Sequence, residues 1–410
     1  MRIALAVIAS QEWKVNSLDV ATAFLQGNEL DREIYLKPPK EAKCPGRLWR
    51  LNKAVYGLDD ASRFWYFRVK EELTRLGCKK SKYDSSLFVS HDQNGLQGII
   101  IVHVDDFMWS GTESFKESVI MKFKQTFKIS KEGESNFKYL GVEIQQSQSG
   151  LYVSLKEYLG KLKEIDIKAD RRQDKHSLIT EDEREELRSV IGKLNWLATQ
   201  TRPDLSYDVC ELSTSLKNGT VSLLMKANKV IKKAMYNEVF LHFPVLDLSQ
   251  LTLRCYADAS YGNLNDGGSQ GGFYLELVSG SNSAPLEWQS KRLRRVAHST
   301  LAAETIAMVE GYESAVLIRH VLCEILQSDV KNIPIEAITD CYSLFQAAQS
   351  TTSIKDRALR IELAIIREGL SNNKFKLKWV ETGSQIADCL TKSGSDPRKL
   401  VSRVTSKEVY

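Results

Sequence analysis

Between residues 98 and 111 the chain reads GIIIVHVDDFMWSG, two β-rich apolar runs hinged on the adjacent carboxylates Asp105 and Asp106. Legs this apolar belong in a core, while paired acids do not. An antiparallel hairpin with the acids at its tip satisfies both demands. A third acid, Asp19, ends another strand-like stretch, SLDVATAFL. A strand fixes its terminal carboxylate better than a loop would. Three such acids can hold two Mg²⁺ ions about 3.5–4 Å apart, the arrangement for in-line nucleotidyl transfer. An acidic pair at a turn is also ordinary turn chemistry. The neighbouring pair Asp59–Asp60 reads as helix capping instead.

Around this hairpin, residues 1–155 mix strand and helix patterns. Residues 16–20 and 34–36 read as strands. Residues 59–76 read as a helix, with Ala61, Trp65, Val69, Leu73 and Leu76 at helical spacing and Gly77 beyond its end. Residues 121–127 look helical, and a further hairpin turns at Ser149–Gly150. Residues 156–248 are mostly helical. Within them, 161–175 is dense in charge and reads as a solvated connection. A helix begins at Thr180–Glu183, and Pro203 breaks the pattern.

The stretch 249–403 is the most legible. Strands are expected at 253–257, 272–277, 335–339 and 375–379, and helices at 299–326, 356–370 and from Asp388. The order fits a mixed sheet with helices on its faces. Four acids stand at element boundaries: Asp258, Glu304, Asp340 and Asp388. Hard oxygen ligands without His or Cys partners suit Mg²⁺ or Mn²⁺ rather than Zn²⁺. Surface acids or charges favoured by helix N-termini are the plainer reading of each one alone.

Composition sets outer limits. The 410 residues carry 57 Lys+Arg against 52 Asp+Glu, a net +5 that permits a nucleic-acid partner without pointing to one. Cys44, Cys78, Cys210, Cys255, Cys323, Cys341 and Cys389 are scattered, with no C-x-x-C pair. A zinc ribbon or thioredoxin site is thereby disfavoured, and a reducing, intracellular setting is expected. No run is long enough to span a membrane.

The blocks LDVATAFLQGNELDREIYLKPP, RLWRLNKAVYGLDDASRFWY, YDSSLF, VHVDDF and FKYLGVEI, in this order, resemble the reverse transcriptase of copia-type LTR retrotransposons. The later YADASYG, GGFYLEL, LEWQSKRLRRVAHSTLAAETIA, ITDCYSL and WVETGSQIADCLTK resemble the ribonuclease H that follows it in the same Pol polyprotein. The resemblance implies an α/β and α+β multidomain chain. Its parts would be a palm region at 1–155, a helical thumb or connection at 156–248, and a ribonuclease H-like mixed sheet at 249–403. It implies RNA-directed DNA polymerase activity, and cleavage of RNA in RNA–DNA hybrids, with two Mg²⁺ (or Mn²⁺) per active site. The partners implied are an RNA template, a DNA primer, dNTPs and other Pol or Gag products. The setting implied is cytoplasmic virus-like particles or the nucleus.

Residue by residue, Asp19, Asp105 and Asp106 match the polymerase's metal-binding acids, and Asp258, Glu304, Asp340 and Asp388 match those of the nuclease. Phe24 falls where the family puts a ring under the incoming sugar; a buried core Phe fits the sequence equally well. Gly57 and His103 lie in the substrate-facing blocks, and Leu140 and Gly141 in the hairpin that grips the primer end. Lys291, Arg292, Arg294 and Arg295 would contact hybrid phosphates, or else line a solvated loop.

The sequence also departs from the family. Only 18 residues precede Asp19, so an N-terminally truncated enzyme lacking its fingers is expected. His103 replaces the usual Tyr, and Asp59–Asp60 replace Lys-Gln. The histidine many cellular relatives carry before the last acid is absent from Glu381-Thr382-Gly383-Ser384. The nuclease is therefore expected to outlast the polymerase. The alternative is a catalytically inactive retroelement remnant acting at most as a nucleic-acid-binding protein.

Overall fold

The computed structural model describes residues 1–406 except Pro45, Asn237, Asn265 and Ser353. The chain divides into two compact units. The first is Met1, Glu12–Leu140 and Glu324–Gln327; the second is Arg2–Gln11, Gly141–Cys323 and the chain from Ser328. Helix α1 (Arg2–Ser10), buried from Ala4 to Ala9, thus belongs to the second unit although it opens the chain.

The first unit is built on strands β1 (Asn16–Val20), β2 (Glu29–Leu36), β3 (Trp49–Lys53), β4 (Lys79–Lys80), β5 (Leu87–Asp92), β6 (Gly95–His103), β7 (Asp106–Gly111), β8 (Ile129–Glu134) and β9 (Asn136–Tyr139). Six form one antiparallel sheet in the order β4-β5-β6-β7-β1-β8, and β2 pairs with β3 apart from it. The expected hairpin is β6–β7, closed by the pair His103↔Asp106. Ile99, Ile100, Ile101 and Val102 are all buried, so both faces of β6 are covered. Helix α2 (Ala61–Arg75) turns Ala61, Trp65, Val69 and Leu73 onto Leu18, Val20, Phe107 and Trp109.

Gly77 ends α2 at φ +91°, and the amides of Gly77 and Cys78 return to the carbonyls of Thr74 and Leu73. That is the 5→2, 6→1 closure which a residue without Cβ makes at least strain. Asp60 stands at the N-cap but makes no capping bond with its side chain, contrary to the sequence expectation. Its carboxylate is paired with Arg32 instead, which holds it below the usual Asp range.

In the second unit, β10 (Val142–Ser147) and β11 (Gly150–Ser154) form the hairpin expected at Ser149–Gly150, with β12 (Leu241–Phe243) beside β11. Helices α3 (Glu181–Gln200), α4 (Ser206–Ser215) and α5 (Val221–Tyr236) follow. Thr180 and Glu183 cap α3 reciprocally, one bonding the other's backbone. The charged segment 161–175 is not wholly solvated. Leu162, Ile165 and Ile167 are buried, and Asn228 of α5 bonds both the amide and the carbonyl of Ile165 at 2.8 Å.

The remaining strands are β13 (Thr252–Ser260), β14 (Gln270–Ser279), β15 (Asn282–Arg292), β16 (Ile335–Thr339) and β17 (Lys376–Trp379). They form a sheet in the order β15-β14-β13-β16-β17, antiparallel on one side of β13 and parallel on the other. This is the mixed sheet expected from the order of the elements. Helix α6 (Thr300–Leu326) connects β15 to β16. Its buried stripe Ala303, Ala307, Gly311 and Ala315 lets it lie close: a Cβ on Gly311 would stand 2.6 Å from Cys255 Sγ.

Helices α7 (Tyr342–Gln349) and α8 (Arg357–Ser371) follow, α8 capped by Asp356; α7 is too short for its periodicity to have announced it. The final helix does not open at Asp388. That residue lies in a 3₁₀ turn, Ile386–Leu390, pinned by the Gln385 side chain, and α9 spans Arg398–Thr405.

Gly98 and Gly111 face each other across β6 and β7, and a Cβ on either would enter the ring of buried Phe115. Gly98→Ala is expected to cost about 1–3 kcal/mol through overpacking. Urea unfolding would show it, and Phe115→Leu in the same chain should recover part of the loss. No recovery would mean the clash is not the cause.

Candidate active sites

In the first unit, Asp19 of β1 sits directly across from Asp106 of β7. Leu18, Val20, Phe107 and Trp109 alternate with them into the core, so the two carboxylates share the opposite face of the sheet. Asp105 occupies the turn, and its carbonyl accepts the Val20 amide at 2.9 Å. The two-residue turn places Val104 at φ +54°, where a β-branched residue is strained. Trp65 holds the turn there, donating from Nε1 to the Val104 carbonyl at 2.6 Å.

The Asp19 carboxylate accepts from the Ser130 hydroxyl, and Asp105 from the Tyr56 hydroxyl at 3.4 Å. Burial, reinforced by the charges of Asp105 and Asp19, raises the Asp106 carboxyl above the usual range, while His103 opposes the shift. Burial and the Asp105 charge likewise raise the Tyr56 phenol.

Phe24 is buried, with its ring 4.4 Å from that of Tyr56. The adjacent Gly57 takes φ +99°, and Leu140 and Gly141 take φ +49° and +80° in a tight turn. His103 is exposed. Tyr56 and Ser130 escaped the sequence reading, since a lone hydroxyl in a loop or on an edge strand carries no pattern.

The second unit gathers its acids more tightly. Carboxylate oxygens of Asp258, Asp340 and Asp388 all lie within 4.8 Å of one another, the one such metal-compatible group among the described residues. Asp258 is near the end of β13, and Asp340 directly follows the parallel neighbour β16. Asp388 arrives on the 3₁₀ turn. The Gln385 amide donates to the Ala257 carbonyl at 2.9 Å, and the Ser290 hydroxyl to the Leu390 carbonyl at 2.6 Å. Gly272, opposite Asp258 on β14, leaves the room this needs: a Cβ there would be 2.8 Å from Leu390 Cβ.

Two residues that sequence reading missed complete the cluster. Lys392 Nζ lies 2.6 Å from Asp388 Oδ1 and 3.2 Å from Asp258 Oδ1, and the Thr391 hydroxyl donates to Asp258 Oδ2. The four-residue spacing from Asp388 to Lys392 was a readable signal. Asp258 is wholly buried, and that burial pushes its carboxyl up to about 7; Asp388 and Asp340 add to the shift, and Lys392 and Thr391 oppose it.

Glu304 of α6 lies outside the tight group. Burial, with Asp258 and Asp340 nearby, pushes it up to about 9, and its Oε2 has no hydrogen-bond partner. Clustered hard carboxylate oxygens beside a buried, unpartnered one are a donor set that fits a divalent cation.

The four cations before α6 are mostly engaged. Lys291 pairs with Glu310 at 3.0 Å, Arg292 with Asp266, and Arg295 with Glu362. Arg294 has no ion-pair partner among the described residues.

Residues 1–171 match the reverse transcriptase (RNA-dependent DNA polymerase) family. The chain is similar to the retrovirus-related Pol polyprotein from transposon RE2 of Arabidopsis thaliana, 28% identical over 412 residues, covering 96% of this chain and 27% of that protein. A transposon Ty5-1 protein of Saccharomyces cerevisiae is 28% identical over 295 residues, covering 68% of this chain and 94% of its own length. The chain thus spans about a quarter of the RE2 polyprotein. Among solved structures, ribonuclease H1 from Halobacterium salinarum aligns with 33% of this chain and 89% of its own, at 18% identity and a TM-score of 0.24. The prototype foamy virus protease-reverse transcriptase aligns with 99% and 68%, at 13% identity and a TM-score of 0.24.

An acid whose pKa is raised by folding contributes stability below its unfolded value that is lost as pH rises through its folded one. For Asp258 that window runs from 3.8 to about 7. In EDTA, stability is expected to fall by on the order of 2 kcal/mol between pH 5 and pH 8, and by less in Asp258→Asn. Thermal melts of both chains across this range check it; parallel curves would show that burying this carboxylate costs nothing.

Proposed function

We propose, for a chain that carries the reverse transcriptase and ribonuclease H-like portion of a copia-type Pol polyprotein, that its leading activity is cleavage of RNA in RNA–DNA hybrids. The observation that carries this reading is the grouping of Asp258, Asp340 and Asp388 within 4.8 Å, with the buried Glu304 carboxyl, whose Oε2 has no hydrogen-bond partner, nearby. These four residues would hold two Mg²⁺ or Mn²⁺ ions. Divalent ions there would activate a water and stabilise charge on the attacking and leaving oxygens of the phosphodiester.

The chain's own contributions are positional. Thr391 and Lys392 fix the rotamer of a carboxylate that has no solvent to orient it. The Gln385 anchor and Gly272 set how near Asp388 comes to Asp258. Arg294 is the cation left to meet a backbone phosphate, while Lys291, Arg292 and Arg295 would exchange carboxylate partners for phosphates.

DNA synthesis on an RNA template is the companion activity, carried by the facing Asp19 and Asp106 with Asp105 at the turn. Phe24, its ring packed at a tilt against that of Tyr56, would lie beneath the sugar of a dNTP. Leu140 and Gly141, in their tight turn, would seat the primer end. In this reading 1–155 is the palm, 156–248 the thumb or connection, and 249–403 the nuclease. The partners are an RNA template, a DNA primer, their hybrid, dNTPs and other Pol or Gag products. The place of action is the virus-like particle in the cytoplasm, or the nucleus.

A labelled RNA–DNA hybrid with Mg²⁺ or Mn²⁺ tests the nuclease. Cleavage is expected from the parent chain and none from Asp258→Asn, while Thr391→Val should lose about 10–100-fold, as partners of metal-binding carboxylates do. Cleavage that survives in Asp258→Asn would sink the assignment. Primer extension on poly(rA) is expected to vanish in Asp105→Asn and to persist in Asp258→Asn. Extension indifferent to Asp105 would remove the polymerase reading.

A further inference from the structure

A cleft of about 230 Å³ opens beside the nuclease acids, between α4, α5 and the segment that follows Asp388. Four lysines line it: Lys226, Lys229 and Lys233 of α5, and Lys392. The first three recur at i, i+3 and i+7, which puts them on one face of the helix. Their charges are not equally available. Lys226 is paired with Glu211, and Lys233 with Asp208 at 2.9 Å. Asp204, which also lines the cleft, is itself neutralised by a buried bidentate bond from Arg202. Lys229 is exposed and has no ion-pair partner among the described residues. The cleft therefore keeps a net positive charge, with one free ammonium at its mouth.

Lys392 connects this cleft to the acids. Its ammonium rests on Asp258 and Asp388, two of the three carboxylates of the metal-compatible group. An ammonium and a metal ion would compete for those carboxylates. Metal at the acids would release Lys392 toward the cleft and add a second free cation there.

We propose that the cleft binds a backbone phosphate of the strand being cleaved, held by Lys229 and, once metal occupies the acids, by Lys392 as well. The inference rests on the hybrid-nuclease reading, and it assigns α5 a part in gripping substrate. It also makes hybrid binding and metal binding mutually favourable, because each draws on the release of one lysine.

Fluorescence anisotropy of a labelled RNA–DNA hybrid tests it, with the parent chain, Lys229→Glu and Lys229→Arg measured in EDTA and in Ca²⁺ over a series of salt concentrations. Lys229→Glu is expected to weaken binding by about tenfold and to lower the salt slope by about one, with Lys229→Arg near the parent. The parent should bind more tightly in Ca²⁺ than in EDTA, and Lys392→Ala should lose that difference. Equal affinities and slopes for the parent and Lys229→Glu would overturn the proposal. So would a variant that loses only its thermal shift with inorganic phosphate and keeps hybrid affinity, which marks a free-anion site. The two readings separate: a parent chain that binds hybrid through Lys229 yet never cleaves it refutes the nuclease and leaves the phosphate cleft standing.

Discussion

Asp258 is a carboxylate with no exposure to solvent, set in a sheet whose other members are largely apolar. Removing such a charge from water costs several kcal/mol unless nearby groups answer it. Much of the second unit's local architecture does so. The Thr391 hydroxyl and the Lys392 ammonium supply the answering groups, and both come from a segment more than a hundred residues away in sequence. That segment can reach only if it lies against β14, which is why Gly272 stands opposite Asp258 and the Leu390 carbonyl is held by Ser290. The parallel pairing of β13 with β16 brings Asp340 alongside. One buried charge thus ties three distant stretches of chain together.

The first unit solves a similar problem by other means. Its acids are only half-buried, and among the described residues no lysine pairs with them. Position is enforced through the backbone. Val104 is kept at a strained positive φ, and the indole of Trp65 bonds its carbonyl from the neighbouring helix. Trp65 is itself buried against Phe127, so α2 packing and turn geometry are one constraint. Strain at a turn survives only where the surroundings over-determine it, and here the surroundings are the core itself.

How much of this could be read from sequence follows from the range of each interaction. The β6–β7 hairpin, β1, α2 and α6 were legible because their signals, apolar runs and i/i+4 stripes, are local. The seven acids were legible as residue types at element boundaries, and the geometry brings Asp258, Asp340 and Asp388 together. The ion pair between Asp60 and Arg32 was invisible, since nothing local links positions 28 apart. Asp388 looked like the start of a helix because acids favour first turns; tertiary bonds from Gln385 hold it in a single 3₁₀ turn instead. Residues 161–175 looked solvated because charge outnumbers apolar side chains there, although three aliphatics are enough to bury the segment's inner side.

The net charge of +5 conceals the distribution that matters. Around Asp258 four carboxyls face one ammonium, and the imbalance has to be met by something positive. Protons meet part of it: burial and the neighbouring carboxylates raise both Asp258 and Glu304 toward their protonated forms. A divalent cation would meet it more fully, and it would take up the same oxygens. Protons, Lys392 and metal are thus three claimants for one set of lone pairs. Acidity would then weaken the binding of such a cation, and the cation would displace both the protons and the lysine. The lysine that is expelled stays tethered four residues from Asp388, beside the cleft that α5 lines with cations. Charge displaced from the acids would therefore not be lost to solvent but turned toward the cleft that Lys392 also lines, where an incoming phosphate would use it.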